Sequence, residues 1–416
     1  MEIDERLDLI LSLADSIAER EDEIIERATR DIGFTYKDVS NELEVTRKRL
    51  VMFSKAIKLL EGRSPLCSPD EEVALILPYN GSAWLNIAIA SIFLAGNRVR
   101  VRFSSRDETI ARVYESIYVK VFGDTIKFDH RNGSEFMRYA IESPKVRAIV
   151  AFGSDSSFLR YEGAVREAKK KFIFEGPGND PFIVLDDIAD ALDDLISSKF
   201  MYSGQACIAP ERIYVHGDVY DDFLEELVER TESLVVGDTE NPETDVAPLA
   251  SRKAVERIKK QLDDAVSRGA RILCGGRIEG DLVYPTVVAD ADHTMLGMRE
   301  EIFGPVCYVC RFDEVGEAIA LAKDSRYGLR ATVYGRNADA VASQLKGADY
   351  LEEVDDYTFG KFGTVSVNEP RSESWKGALV IKPIGGYGYS GWVWDLDHRL
   401  KQGPKLFSLE TSLELI

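Results

Sequence analysis

The chain has 416 residues, of which 45% are hydrophobic, and 72 acidic against 52 basic side chains give it a formal net charge of −20. This length allows two or more domains, each with its own core. The acidic balance opposes non-specific binding to nucleic acid and to anionic lipid, so neither is expected as a partner.

The N-terminal residues 1–28 place apolar side chains at helical spacing among charges, which predicts an amphipathic helix rather than a secretory signal. The longest apolar run, from Trp84 to Gly96, is too short to cross a bilayer and predicts a buried helix. We therefore expect a cytoplasmic protein without membrane contact. In that reducing compartment the five cysteines should be free thiols.

From about residue 72 short β-type runs alternate with helical segments. The clearest strands of this first series are EVALIL (72–77), RVRVRF (98–103), RAIVAF (147–152) and FIFE (172–175). The alternation in RVRVRF predicts that its three arginines share one face of a strand. A helix is predicted after the GSDSS turn, with its solvated end at the lysines 169–171.

A second series of strands and helices begins near Pro181 and runs to the strand GTVSVN (363–368). The β-α-β-α order implies parallel sheets with right-handed crossovers. The predicted fold class is therefore α/β, with two doubly wound parallel-sheet lobes that meet between Glu175 and Pro181. A cleft between two such lobes is a natural place for a cofactor and a substrate.

The stretch YSGQACIAPER places Cys207 in a turn at the edge of a lobe. Most single cysteines are structural, and a catalytic thiol needs a base beside it. The sequence places none of the four histidines for that role: His130, His216, His293 and His398. The residues alone therefore leave a structural thiol and a nucleophile with some other base both open.

Three further patterns bear on function. Cys307 and Cys310 form C-x-x-C within a strand, where the side chains point to opposite faces, so we expect a structural role and no metal site. The GSDSS turn before a helix suits an anion or an ordinary helix cap. Glu175, beside a glycine-rich turn, suits a general base or a solvated strand end.

Nine stretches, taken in chain order, resemble those of the aldehyde dehydrogenase superfamily. They are PYNGS, AGNRVRVRFSS, AFGSDSS, FEGPGNDPFIVLDDIA, MYSGQACIAPERIYV, EEIFGPV, YGLRATVYG, GTVSVN and KPIGGYGYSGW. The resemblance implies a Rossmann-like cofactor domain at 1–176, to which 385–402 return, and a catalytic domain at 177–384. It also implies an oligomerisation strand at 403–416, in a homodimer or homotetramer.

The resemblance implies roles for three residues in aldehyde oxidation. Cys207 matches the nucleophile that forms a thiohemiacetal and then a thioester. Asn80, with the backbone N–H of Cys207, matches the pair of donors to the oxyanion. Glu175 matches the base that activates water to release the carboxylic acid, which removes the need for a histidine.

The resemblance also implies a dinucleotide site. Glu301 matches the residue that holds the nicotinamide ribose, and Phe303 matches the residue that packs beside the ring. Gly153 and Ser154 match the pyrophosphate turn.

NADP or NAD is the expected cofactor, and two positions favour NADP. Arg102 stands where the family usually has lysine near the adenosine ribose. Ser105 stands where members that prefer NAD often carry glutamate. A cation without that carboxylate favours a 2′-phosphate.

Alternative functions are a CoA-acylating aldehyde dehydrogenase, a non-catalytic scaffold of the same fold, and a cysteine hydrolase without a cofactor. Glu175 argues against the first, because acylating relatives often lack that base. The flanking residues Ala206 and Ile208 favour a small, mostly apolar aldehyde, and the sequence shows no arginine that would hold a carboxylate tail.

Overall fold

The structure, a computed structural model, describes residues 1–54, 57, 64–346, 362–370, 390–394 and 400–401. The helices are α1 (Ile3–Glu19), α2 (Glu21–Arg27), α3 (Tyr36–Met52), α4 (Leu85–Leu94), α5 (Glu108–Phe122), α6 (Gly133–Glu142), α7 (Asp155–Phe158), α8 (Glu162–Glu167), α9 (Ala189–Phe200), α10 (Tyr220–Glu232), α11 (Arg252–Ser267), α12 (Leu296–Arg299), α13 (Val315–Lys323) and α14 (Ala338–Lys346).

The strands of the described residues build two seven-stranded sheets and one short hairpin. They are β1 (Glu72–Ile76), β2 (Val99–Arg102), β3 (Ile126–Phe128), β4 (Val146–Phe152), β5 (Lys171–Glu175), β6 (Asp180–Val184), β7 (Pro210–His216), β8 (Arg271–Cys274), β9 (Ile278–Glu279), β10 (Leu282–Val283), β11 (Thr286–Ala289), β12 (Val306–Phe312), β13 (Arg330–Tyr334), β14 (Thr364–Val367), β15 (Gly391–Trp394) and β16 (Leu400–Lys401).

The first sheet has the order β16-β15-β5-β4-β1-β2-β3. Strands β1 to β5 pair in parallel, whereas β15 returns antiparallel to β5, with Gly391 opposite Glu175. Alternate residues of these strands pack on opposite faces, one under helices α1 to α5 and the other under helices α6 to α8. The valines of β2 are buried and its arginines half-buried, so the predicted shared arginine face is present.

The second sheet has the order β14-β13-β6-β7-β12-β11-β8 and is parallel except for the edge strand β8. Helices α11 to α14 cover one face and helices α9 and α10 the other. Cys307 packs in the core on one face and Cys310 in the core on the opposite face, as expected for residues at odd spacing in a strand.

Helices on both faces of two mainly parallel sheets confirm the predicted fold class. Strand β5 ends at Glu175 in the first sheet, and β6 begins at Asp180 in the second. The functional roles given to the two domains stay predictions, and residues 403–416 lie outside the described part of the chain. Among the described residues no helix is both long and apolar enough to cross a membrane.

The prediction of a solvated helix end at the lysines 169–171 is confirmed for Lys169, which is exposed, and was wrong for the two lysines that follow it. Lys170 and Lys171 are only 8% and 3% exposed. The Lys170 Nζ donates to the carbonyls of Ser143 and Val146, and Lys171 opens β5. The Lys170 ammonium thus meets carbonyls at the end of α6 and the start of β4, which sequence periodicity does not reveal.

Candidate active site

Cys207 lies half-buried in the loop between α9 and β7. Three residues shortly before it have left-handed backbone, with φ of 52° at Tyr202, 55° at Ser203 and 77° at Gly204. This conformation is unfavourable for residues that carry a side chain, so surrounding contacts must hold the loop in place.

Those contacts come from both lobes. The N–H groups of Ala247 and Ala250 donate to Ser203 Oγ (2.9 Å) and Gln205 Oε1 (3.0 Å), respectively. Four apolar residues of the loop pack into the core between the first sheet and helices α1 to α5. They are Tyr202, Ala206, Ile208 and Ala209. Cys207 therefore sits where the second lobe meets the core of the first.

Gly178 lies against the backbone of Cys207. A Cβ at Gly178 would be 2.0 Å from the Cys207 carbonyl oxygen, so this position has no room for a side chain. The Gly178 N–H donates to Glu301 Oε1 (3.1 Å). The structure therefore brings Cys207 and Glu301 to one point, on either side of the turn that follows Glu175.

Ser390, in the segment that returns to the first sheet, holds that turn. Its hydroxyl donates to the Pro177 carbonyl (2.6 Å), and its own carbonyl accepts from the Gly176 N–H (2.8 Å). The Ser390 hydroxyl also accepts from the Gly328 N–H (3.1 Å). The backbone path from Glu175 to Gly178 thus depends on a residue more than two hundred positions away in sequence.

Acidic side chains surround the Cys207 thiol. Burial raises the pKa of Cys207 well above its usual range, and the charges of Glu175, Glu301 and Asp180 raise it further. Glu175 is only 2% exposed, and neither carboxylate oxygen has a hydrogen-bond partner among the described residues. Burial, reinforced by Asp180, also raises the pKa of Glu175, which excludes a solvated strand end.

The segment that carries Glu301 and Phe303 is fixed by the buried side chain of Glu211. Its carboxylate accepts from the N–H groups of Ile302 and Phe303, each at 2.8 Å, and from Asn179 Nδ2 at 3.0 Å. These bonds hold Phe303 at a left-handed φ of 53°. Burial, then the charge of Glu211, raises the pKa of Glu301 to about 8.

Asn80 lies in the loop between β1 and α4, where its carbonyl accepts from Trp84 Nε1 (3.2 Å). The neighbouring Tyr79 ring meets the Phe303 ring edge-on, with centroids 6.2 Å apart. The loop of Asn80 therefore reaches the same segment as Glu301. Among the described residues no hydrogen bond joins the Asn80 side chain to Cys207.

Gly153 and Ser154 lie at the carboxyl end of β4. The Gly153 N–H donates to the Glu175 carbonyl (3.1 Å), which joins the expected pyrophosphate turn to the expected base. A Cβ at Gly153 would lie 2.9 Å from the Phe158 ring, and the Ser154 hydroxyl bonds to that of Ser157 (2.6 Å). The helix predicted after this turn is broken into α7, a 3₁₀ turn and α8.

Arg102 and Ser105 line a separate open pocket of about 180 Å³ near the start of α5. Arg102 Nε donates to the Arg131 carbonyl (3.0 Å), and burial lowers the pKa of its guanidinium. In the described ranges no ion pair within 4 Å joins Arg102 to a carboxylate, although Glu108 and Asp129 line the same pocket and the charges of Asp107 and Asp129 act on the guanidinium.

The structure thus brings Cys207, Glu175 and Glu301 together and places Arg102 and Ser105 in the separate pocket. Sequence reasoning missed Glu211 and Ser390. The available signal for Glu211 was an adjacent pair of opposite charges, Glu211 and Arg212, at the start of the predicted strand PERIYVH. No pattern near Ser390 indicates which distant turn it holds.

Comparison with known proteins gives consistent results. The model of the aldehyde dehydrogenase family matches residues 1–397. A probable NADP(+)-dependent succinate-semialdehyde dehydrogenase of Sinorhizobium fredii is 36% identical over 264 residues, which cover 62% of this chain and half of that protein. An NADP(+)-dependent succinate-semialdehyde dehydrogenase of Deinococcus radiodurans is 29% identical over 412 residues, covering 94% of this chain and 82% of that protein. A solved oxidoreductase from Marinobacter aquaeolei is 25% identical with a TM-score of 0.85, covering 100% of this chain and 85% of that one.

The position of Gly204 generates a test of how the cysteine loop is held. A Cβ there would lie 2.3 Å from the carbonyl carbon and oxygen of Gly304. Gly204→Ala should therefore lower the free energy of unfolding by more than the ~1 to 2 kcal/mol of left-handed strain alone. Denaturant unfolding measures this loss.

Gly269→Ala is the matched control, because Gly269 also has positive φ (96°) but nothing lies within 4 Å of an added Cβ. It should show the strain cost alone. Equal losses in the two variants would contradict the close contact between Gly204 and Gly304.

Proposed function

This chain belongs to the aldehyde dehydrogenase family, and we propose that it oxidises an aldehyde to a carboxylic acid with NADP, through a covalent bond to Cys207. The observation that carries the proposal is the convergence of Glu175, Glu301 and the Gly178 turn on the half-buried Cys207. A structural thiol would not require the charges of Glu175, Glu301 and Asp180 around it.

The proposed reaction begins at the Cys207 sulfur. Its thiolate adds to the carbonyl carbon of the aldehyde, and the carbonyl oxygen becomes an oxyanion. The Asn80 amide and the Cys207 N–H are the proposed donors to that oxygen. Because burial and nearby carboxylates raise the pKa of Cys207, the reactive thiolate becomes more populated as pH rises.

The residues fit a dinucleotide in two places. At one end Arg102 presents a half-buried cation to the pocket that Ser105 also lines, which suits a 2′-phosphate. At the other, the proposed contacts are Glu301 to the nicotinamide ribose and Phe303 beside the ring. When bound, the dinucleotide supplies the acceptor for the hydride that leaves the former aldehyde carbon.

Glu175 is the proposed base for release of the acid. Its carboxyl group is buried and neither oxygen has a hydrogen-bond partner among the described residues, so no described protein donor competes with water for it. The ionised group takes a proton from water, whose oxygen attacks the thioester carbon, and the thiolate of Cys207 departs. The sum is aldehyde, water and oxidised dinucleotide giving acid, reduced dinucleotide and a proton.

The relatives named above support an aldehyde that carries a carboxylate, succinate semialdehyde in the first instance. The small, mostly apolar aldehyde that the neighbours of Cys207 favour is the alternative substrate. A cytoplasmic location and a homodimer or homotetramer stay predictions.

Cys207→Ala should abolish aldehyde oxidation while NADP still binds, because the covalent bond to the carbonyl cannot form. Reduced cofactor is followed by absorbance with succinate semialdehyde and with butanal, which has the same number of carbons but no charge. Calorimetry measures NADP binding. Cys310→Ser is the control, since Cys310 is buried in a core of the second sheet. Near-normal turnover in Cys207→Ala would refute the nucleophile, and equal rates with the two aldehydes would refute the substrate class.

Glu175→Gln should keep the first burst of reduced cofactor and slow steady-state turnover by about 10² to 10⁴-fold, because the amide cannot take a proton from water. The raised pKa means that wild-type turnover increases with pH as Glu175 ionises. The variant should lose that increase in stopped-flow and steady-state measurements across pH. Loss of the burst itself would exclude a role confined to acid release.

Arg102→Ala should weaken NADP binding by about tenfold or more and leave NAD binding nearly unchanged, since one charge-assisted contact to the 2′-phosphate is lost. Calorimetric titration with each dinucleotide measures both affinities. Arg98→Ala is the control, because Arg98 shares the strand face but donates to the Asp124 carbonyl. Equal losses for NADP and NAD would remove the assignment of Arg102 to the 2′-phosphate.

A further inference from the structure

Helix α3 carries two acidic residues, Asp38 and Glu42, on one face. They are four positions apart, so their side chains lie one turn above the other. The helix begins at a Thr35 cap, whose hydroxyl oxygen accepts from the Asp38 N–H (3.2 Å). This face points at the two loops that hold Asn80 and Cys207.

Glu42 forms hydrogen bonds with the backbone of the loop that carries Asn80. Its buried carboxylate accepts hydrogen bonds from three consecutive N–H groups, those of Ser82 (3.0 Å), Ala83 (3.0 Å) and Trp84 (2.8 Å). The Ser82 hydroxyl also donates to it. A carboxylate at this position satisfies N–H groups that the start of α4 leaves without partners.

Asp38 forms a hydrogen bond with the backbone of the loop that carries Cys207. Its Oδ2 accepts from the Tyr202 N–H (2.9 Å) and from the Thr35 hydroxyl (2.7 Å). Tyr202 is the first residue of the left-handed stretch. Its ring packs edge-on against Phe34, with centroids 4.9 Å apart.

The contacts of Glu42 and of Asp38 also meet at one side chain, that of Tyr202. Burial, then the charges of Glu42 and Asp38, raises the pKa of the Tyr202 hydroxyl, so that hydroxyl lies within the influence of both carboxylates. From the other side of the Asn80 loop, the Tyr114 hydroxyl donates to the Ser82 carbonyl (2.6 Å). The hydrogen bonds of α3 therefore extend to a loop of each lobe.

We propose that Asp38 and Glu42 are positioning residues, and that α3 acts as a brace that sets the distance between Asn80 and Cys207. The inference rests on the proposed function, in which these two residues share one oxyanion. Asn80 follows a strand of the first sheet and Cys207 precedes a strand of the second, so no common strand fixes their separation. Displacement of a donor by about an ångström is enough to cost orders of magnitude in rate.

The experiment compares Glu42→Gln and Asp38→Asn with Glu44→Gln. Glu44 lies on the same helix but forms an exposed ion pair with Lys48. Each test amide keeps the size of the side chain but weakens its acceptors and turns an N–H₂ group towards backbone donors. Steady-state kinetics, NADP titration and thermal unfolding are measured for each variant.

Glu42→Gln and Asp38→Asn should lower kcat by about tenfold or more while the Kd for NADP stays within about twofold. Glu44→Gln should match the wild-type protein in both. Wild-type kcat in a folded Glu42→Gln or Asp38→Asn variant would overturn the proposal. A parallel loss of NADP affinity would also overturn it, because that result indicates general damage to the fold.

A second readout does not need enzymatic activity. The rate at which iodoacetamide alkylates Cys207 is followed across pH by mass spectrometry of its peptide, and the other four cysteines are buried. Asp38→Asn should change this profile, because it releases the loop that holds the thiol, whereas Glu44→Gln should not. An unchanged profile would overturn the brace at its Cys207 end.

This readout separates the two proposals. A wild-type protein that oxidises no aldehyde would refute the proposed function, yet the alkylation profiles would still decide whether α3 holds Cys207. If Glu42→Gln does not fold, Asp38→Asn carries the test, because the Asp38 carboxylate accepts from the Tyr202 N–H in the cysteine loop. A wild-type kcat and an unchanged alkylation profile in that variant would then overturn the proposal.

Discussion

The contact between Gly178 and the Cys207 carbonyl is the constraint on which the candidate site depends. Only a residue without a side chain lets these two backbones approach so closely. The same glycine donates its N–H to Glu301. One position therefore fixes the cysteine loop, the turn after Glu175 and the segment of Glu301 relative to one another. Gly204 makes a second backbone contact of this kind, since it lies against the backbone of Gly304.

Close packing of these backbones has an electrostatic consequence. It removes water from a region that contains Glu175, Asp180, Glu211 and Glu301, and burial is the largest cause of the raised pKa values of Glu175 and Glu301. A raised pKa makes the ionised carboxylate a stronger proton acceptor, which suits a general base. The same environment disfavours the thiolate of Cys207, since burial and the charges of Glu175, Glu301 and Asp180 raise its pKa.

Stability and function draw on the same elements in this protein. Tyr202, Ala206, Ile208 and Ala209 belong to the core of the first lobe although their loop precedes a strand of the second. Helix α3 packs on that core and supplies no residue to the proposed chemistry. Its carboxylates nevertheless form hydrogen bonds with the loop of Asn80 and with the loop of Cys207. The N-terminal helices are therefore part of the construction of the site as well as of the core.

The sequence by itself determined the α/β alternation, the extent of most strands and the identity of the family, because these depend on local periodicity and on motifs that are contiguous in the chain. It also identified Cys207, Glu175 and Glu301 as candidates, each from its own motif. It could not determine that Lys170 is buried, that Glu211 holds Phe303, or that Ser390 ties down the turn of Gly178. Those facts depend on hydrogen bonds and burial between segments far apart in the chain. Only the tertiary structure decides them, because a side chain's partners and its loss of water are set by what packs against it.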